Sequence, residues 1–302
     1  MSGSPSGVIH DIGYRHYDGE RLGRAAVVRS LYVSTLRSTF GIGRTAKSKI
    51  MPFILAGCML LPALVLEIVL FFGRSLPPAE VLFEQQVMPY TNYVLVAQAA
   101  VAIYLAAIAP QVFSRDLRFR TVALYFARPL RRVDYVMARF LGLASGLAIL
   151  CLAPLLLMFV GGLLAGLPFG QELRGFAEAG FGVLFLSLML AGLGGLIASA
   201  TVRRGIAVAV IVTVTTMTMA VASLVAALGS FQNNDTAAGL GALLSPFTLL
   251  DAIQTVLFDA NAGLTEVPDG AGWTLLYPTF GVLLVIGLFG LILARYRKVT
   301  GA

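Results

Sequence analysis

Residues 140–166 read FLGLASGLAILCLAPLLLMFVGGLLAG, 27 positions without one charged side chain. A bilayer's hydrocarbon core takes about 20 apolar helical residues to cross, so this run alone is long enough to span one. Working outward, the same span extends back to residue 133, and five further apolar runs occupy 50–73, 92–113, 181–200, 205–229 and 273–294. The composition agrees: 58% of the residues are hydrophobic and 12% are charged, too little charge to cover a soluble domain. Backbone groups in lipid must bond within their own segment, and the alternation of barrel strands is missing. The expected fold class is therefore all-α, a polytopic membrane protein with six transmembrane helices.

Lysine and arginine are retained on cytoplasmic loops, and here their distribution is one-sided. Of the 22, all but Arg74 and Arg174 fall before the first span, between spans two and three, between four and five, or after the sixth. This predicts an N-in, C-in topology. The segment between spans five and six carries Asp235, Asp251, Asp259, Glu266 and Asp269 and no Lys or Arg, as an external loop should. The net charge of +7 thus belongs to the cytoplasmic membrane surface and its anionic lipid, not to nucleic acid.

Residues 1–23 are rich in Gly, Ser, Pro and charge and read as a poorly ordered cytoplasmic tail. Over 24–44, Val28, Leu31, Tyr32, Leu36 and Phe40 recur at helical spacing with Arg29, Ser30, Arg37 and Ser38 opposite them, which predicts an amphipathic helix in the interface plane or against a protein partner. The octet GIGRTAKS at 41–48 approaches the phosphate-loop pattern, but Ala46 stands where the second glycine belongs and no strand is expected before it. Residues 45–298 make up the transmembrane domain. Residues 242–259 are apolar yet broken by Ser245-Pro246, and fit an external helical segment better than a seventh span. Cys58 and Cys151, both within spans, read as packing residues.

The most informative loop lies between spans two and three: FSRDLRFRTVALYFARPLRRVDYVMARF, residues 113–140, with seven basic residues. Asp116 favours a helix start, Leu117, Leu124 and Tyr125 offer apolar contacts, and Pro129 forces a turn before the third span. A short amphipathic helix over 116–126 is the result.

Here the sequence resembles the ABC-2 family of transporter permeases, whose loop carries an acidic residue, Thr, Pro, Arg, Tyr and a basic residue at the spacing of Asp116, Thr121, Pro129, Arg132, Tyr135 and Arg139. The glycine usual before the Thr is Arg120, and the Gly-Lys pair usual at the start of the third span is Ala138-Arg139. The resemblance covers roughly residues 24–298, the amphipathic helix looking like the family's elbow helix. It implies a permease of the bacterial plasma membrane and two ATPase subunits that hold ATP and Mg. A second permease chain, either a copy of this one or a different one, completes the pore, and the export cargo is hydrophobic or amphipathic. It further implies a coupling helix that docks on the ATPase through Asp116, Leu117, Arg120, Thr121, Leu124 and Tyr125, with Arg128, Pro129, Arg131 and Arg132 flanking it.

Polar residues within spans are the candidates for the pathway: Glu67 on the first, Tyr93, Gln98 and Tyr104 on the second, Thr213 and Thr216 on the fifth. Glu67 faces a wet cavity or a partner, or is protonated, or reaches water at the external interface. The threonines also serve helix packing, and Gly161, Gly162, Gly192, Gly194 and Gly195 allow close helix approach. No catalytic or metal-binding constellation is present, since the two histidines lie in the N-terminal tail and no nucleophile, base and acid share a motif. The chain is thus expected to be a transport subunit with no cofactor of its own. The alternative is an ion-coupled secondary transporter or channel working without an ATPase, with Glu67 as its ion site.

Overall fold

The structure, a computed structural model, describes residues 23–43, 46–73, 90–119, 125, 130–232, 234–260, 263–264, 267–268 and 270–300. Among these the regular structure is all helical, and six helices are long and apolar enough to cross a membrane. In chain order the elements are α1 (Arg24–Thr39), α2 (Ala46–Gly73), α3 (Tyr90–Val96), α4 (Gln98–Val112) and α5 (Ser114–Arg118). They continue with α6 (Arg132–Leu164), α7 (Phe169–Ala200), α8 (Arg204–Phe231), α9 (Asp235–Gly241), α10 (Pro246–Phe258) and α11 (Ala271–Thr300). The chain is a multi-pass membrane protein. The expected tail, residues 1–22, lies outside the described residues.

The helix α4 is the centre of the bundle: 72% of its span is buried within the protein, against 11% for α2 and 17% for α8, which stand at the periphery. Hydrophobic burial drives no helix pairing inside lipid, so close approach depends on small residues. On α7, a side chain at Gly192 would meet Leu288 of α11, one at Gly194 would meet Leu105 of α4, and one at Gly195 would meet Phe113 and Ile292. Those three glycines let α7 sit between α4 and α11.

Two boundaries differ from the expected ones. The second span is shorter at its start, because the helix is interrupted at Ala97, and Tyr93 belongs to the separate α3. The fourth span begins at Phe169 and not at 181. Glu172, Arg174 and Glu178 had the look of a loop, yet each is accommodated on a helix. Arg174 pairs with Glu178 one turn on at 2.6 Å, and Glu172 turns inward against Tyr90. The α6–α7 turn closes at Gly166, whose φ of 79° suits glycine, with the Leu167 amide donating back to the Gly162 carbonyl at 3.0 Å.

The helix α1 lies against α6. Its expected apolar face contributes Leu31 to the core, but the tightest contacts come from two threonines that the periodicity places on neither face. A β-carbon added at Gly142 would lie 2.6 Å from Thr35 Cγ2, and one at Gly146 would lie 2.6 Å from Thr39 Oγ1. Gly142 and Gly146, one turn apart, form the seat for these threonines. Each threonine hydroxyl bonds a carbonyl of its own helix, so no polar group is stranded by burial. Tyr32 meets Ser145 at 2.9 Å, and Arg24 forks onto Asp134 at 2.7 and 2.5 Å. Within the octet at 41–48, Gly41 and Gly43 are left-handed and a helix, α1, precedes them. The strand that a phosphate loop requires is absent among the described residues.

The segment expected to be external holds α10, capped by the Ser245 hydroxyl, which accepts from the Phe247 amide at 3.3 Å. Asp251, buried, accepts from the backbone amides of Gly263 and Leu264 at 3.0 and 2.7 Å and so ties the following segment back onto the helix.

Candidate functional site

The bundle end where α1, α5 and the start of α6 meet gathers most of the arginines. Its centre is Arg139, buried on the second turn of α6 with its guanidinium ion-paired to Asp116 of α5. Tyr135, one turn earlier, donates its hydroxyl to the same Asp116 Oδ2 at 2.6 Å. Arg139 also donates to Thr35 Oγ1 at 3.2 Å and to the Tyr125 hydroxyl at 3.4 Å, and its charge lies 5.4 Å over the Tyr135 ring and 5.8 Å over the Tyr125 ring. The ring of Tyr296 of α11 lies tilted 5.5 Å from that of Tyr135, and its hydroxyl donates to the Phe113 carbonyl at 3.1 Å. Ser114 donates to the Ala198 carbonyl of α7.

The short helix α5 is thus bonded to three spans. Its fixed point is a charge pair with each partner about one-tenth exposed at the side chain, where removing either partner leaves an uncompensated buried charge.

Of the expected docking residues, Asp116 faces inward, Leu117 and Tyr125 pack partly buried against the core, and Arg131 and Arg132 are exposed at the start of α6. Arg120, Thr121, Leu124, Arg128 and Pro129 lie outside the described residues, as do residues 120–124 and 126 of the expected helix. Helix is described for 114–118 and at Tyr125. Three of the six positions that carry the family spacing, Asp116, Tyr135 and Arg139, meet in one hydrogen-bonded cluster.

The opposite end has the reverse character. Glu67, near the C-terminal end of α2, lies flat on Gly161 of α6, and Glu172 of α7 lies on the adjacent Gly162. Glu172 is 4% exposed and accepts the Tyr90 hydroxyl of α3. Burial first, and then that bond to Glu172, raise the Tyr90 pKa above its ordinary value, so it is held as a donor. One Glu67 oxygen is shielded and finds no hydrogen-bond partner among the described residues. Sequence reading singled out Glu67 but missed Glu172 and Tyr90; the adjacent glycines at 161 and 162, facing one carboxylate each, were the only local signal.

The other expected pathway residues divide by role. Tyr93 donates to the Met59 carbonyl and Tyr104 to the Thr39 carbonyl at 3.3 Å, so both are buried ties between helices. Gln98 keeps one shielded oxygen unpartnered among the described residues. Thr213 and Thr216 are exposed on the outer side of α8, while Thr215 and Thr218 bond carbonyls of their own helix.

Among the described residues, no group of His, Cys, Asp and Glu is arranged to hold a metal ion. No protein-family model and no curated protein matches this chain.

Proposed function

We propose that this chain is the transmembrane permease subunit of an ATP-driven exporter of the ABC-2 type, in the bacterial plasma membrane with both termini in the cytoplasm. On this reading α1 is the elbow helix. Residues 116–126 form the coupling element, gripped from below by two copies of an ATPase subunit that bind ATP and Mg, and a second permease chain completes the pore. The cargo is hydrophobic or amphipathic.

The observation that carries the reading is the convergence of Asp116, Tyr135 and Arg139. These positions match the family's loop at separations of 19 and 23 residues, and in the fold they are bonded to one another. An ordinary basic loop obeying the positive-inside rule accounts for the arginines but not for that convergence. The arrangement also suits a transmitting role. Inward Asp116 holds the short helix to the spans, and outward Arg131 and Arg132 are left at the surface.

Reconstitution with the ATPase that co-purifies with the chain tests this. Arg131→Glu with Arg132→Glu is expected to abolish stimulated ATP hydrolysis while the chain still inserts and folds; unaltered transport in that variant counts against the docking surface. The second reading, an ion-coupled carrier, draws on Glu67 and Glu172. It gains the upper hand if the purified chain alone moves substrate along an ion gradient in liposomes without any ATPase.

A further inference from the structure

Between α2 and α6, at the end remote from the arginine cluster, runs a groove of about 490 Å³. Its walls are apolar, with Leu60, Leu64 and Phe71 on one side and Leu156, Val160 and Leu164 on the other. The single ionisable side chain in this lining is Glu67. The volume lies within the range of sites that enclose a drug-sized molecule, and an apolar surround with few polar groups is the usual character of such sites. Leu64, Phe71, Leu156 and Leu164 are all exposed, so the groove opens sideways on the outer surface of the chain.

We propose that this groove binds a lipophilic monocation, an organic ammonium or phosphonium whose apolar body lies along α2 and α6 and whose charge rests against Glu67. Charge complementarity decides the occupant. A carboxylate within a span requires a cation, a proton or water to offset its burial. Among the described residues no Lys or Arg lines the groove, and Arg174, two positions from Glu172, is already committed to Glu178. Glu172 lies on the glycine next to the one under Glu67, and its own hydrogen bond comes from Tyr90, which supplies no positive charge. Gly161 leaves no side chain between Glu67 and the α6 backbone, so the carboxylate is pinned at the groove wall with its shielded Oε2 turned onto the glycine. An anionic or zwitterionic guest would have to bring a second charge into the same apolar walls. A neutral one would leave the carboxylate to be offset by a proton or water alone.

The inference names a cargo class for the permease reading and rests on that reading for the export step, whereas binding itself needs neither ATPase nor nucleotide. The probe is tetraphenylphosphonium, with the isosteric anion tetraphenylborate as its control, in equilibrium dialysis against the purified chain in non-ionic detergent. Glu67→Gln is expected to weaken tetraphenylphosphonium binding about tenfold, the effect of losing one paired charge in a partly buried site. Glu67→Asp should retain most of the affinity, and tetraphenylborate should not weaken with either variant. Leu64→Trp narrows the groove without touching the carboxylate and should lower the cation's affinity as well, which keeps the test intact if Glu67→Gln aggregates.

Equal cation affinity in wild type and Glu67→Gln overturns the proposal, as does the same response from both ions or undiminished binding to Leu64→Trp. Absence of cation binding together with a dimer that dissociates on Leu64→Trp would give the groove to a second copy of the chain and overturn it too. None of these outcomes touches the Arg131 and Arg132 experiment, so the two readings fail separately.

Discussion

At one end of the bundle Asp116 and Arg139 are locked together beneath three tyrosines; at the other, Glu67 and Glu172 lie on neighbouring glycines with no cation beside them among the described residues. Six buried side-chain atoms lack a hydrogen-bond partner among the described residues. Five of them, on Glu67, Thr91, Asn92, Gln98 and Gln254, lie away from the arginine end. The sixth is Arg139 Nε, whose guanidinium is otherwise engaged. A polar network inside a membrane protein fixes geometry when its members are satisfied. The polar groups at the arginine end are largely satisfied, and more of those away from it are unpartnered among the described residues.

Substitutions can break that contrast. Asp116→Ala should have the largest effect, a loss of about 3–5 kcal/mol, because it strands the Arg139 charge. The joint replacement Asp116→Leu with Arg139→Met should cost distinctly less, and denaturant midpoints of the purified chain compare the two. Next comes Gly146→Val, which drives a side chain into Thr39 and should cost about 1–3 kcal/mol as an overpacking change. Hydrogen exchange should rise across α1 before the spans respond. Glu67→Gln should act in the opposite direction, raising stability by about 1 kcal/mol or less, since it removes a carboxylate that has no counter-ion among the described residues. A fall as large as that of Asp116→Ala would mean that Glu67 is paired, and would erase the difference between the two ends. The smallest effect is expected for Arg24→Ala, whose side chain is 44% exposed and whose pairing with Asp134 is screened by solvent. A double-mutant cycle with Asp134→Ala should give a coupling near the limit of detection.

The six spans were legible because length and hydropathy alone decide whether a helix can cross lipid, and α6 needed nothing more than its uncharged run. The start of α7 was not legible, since the charges of Glu172, Arg174 and Glu178 mimic a loop until their partners are known. Thr35 and Thr39 were hidden for a related reason. Their hydroxyls suggest a solvated face, whereas the backbone carbonyls they bond and the glycine seats they fill are on the page only after α1 is packed on α6. Tyr93 and Tyr104 drew notice as polar residues within a span, but a tyrosine hydroxyl is as well used closing a neighbour's open carbonyl as facing a channel. The spacing of Asp116, Tyr135 and Arg139 was visible as a pattern; its cause, one carboxylate shared by two side chains of α6, was not.

The tethering of α5 has a mechanical consequence. Five residues long, it is fastened to α6 through Asp116, to α7 through Ser114 and, by way of the Phe113 carbonyl, to α11. A push on it cannot be absorbed locally. Either those three long rods swing together as one stiff lever, or buried polar bonds must snap in a medium that offers no replacement, and the first course costs far less.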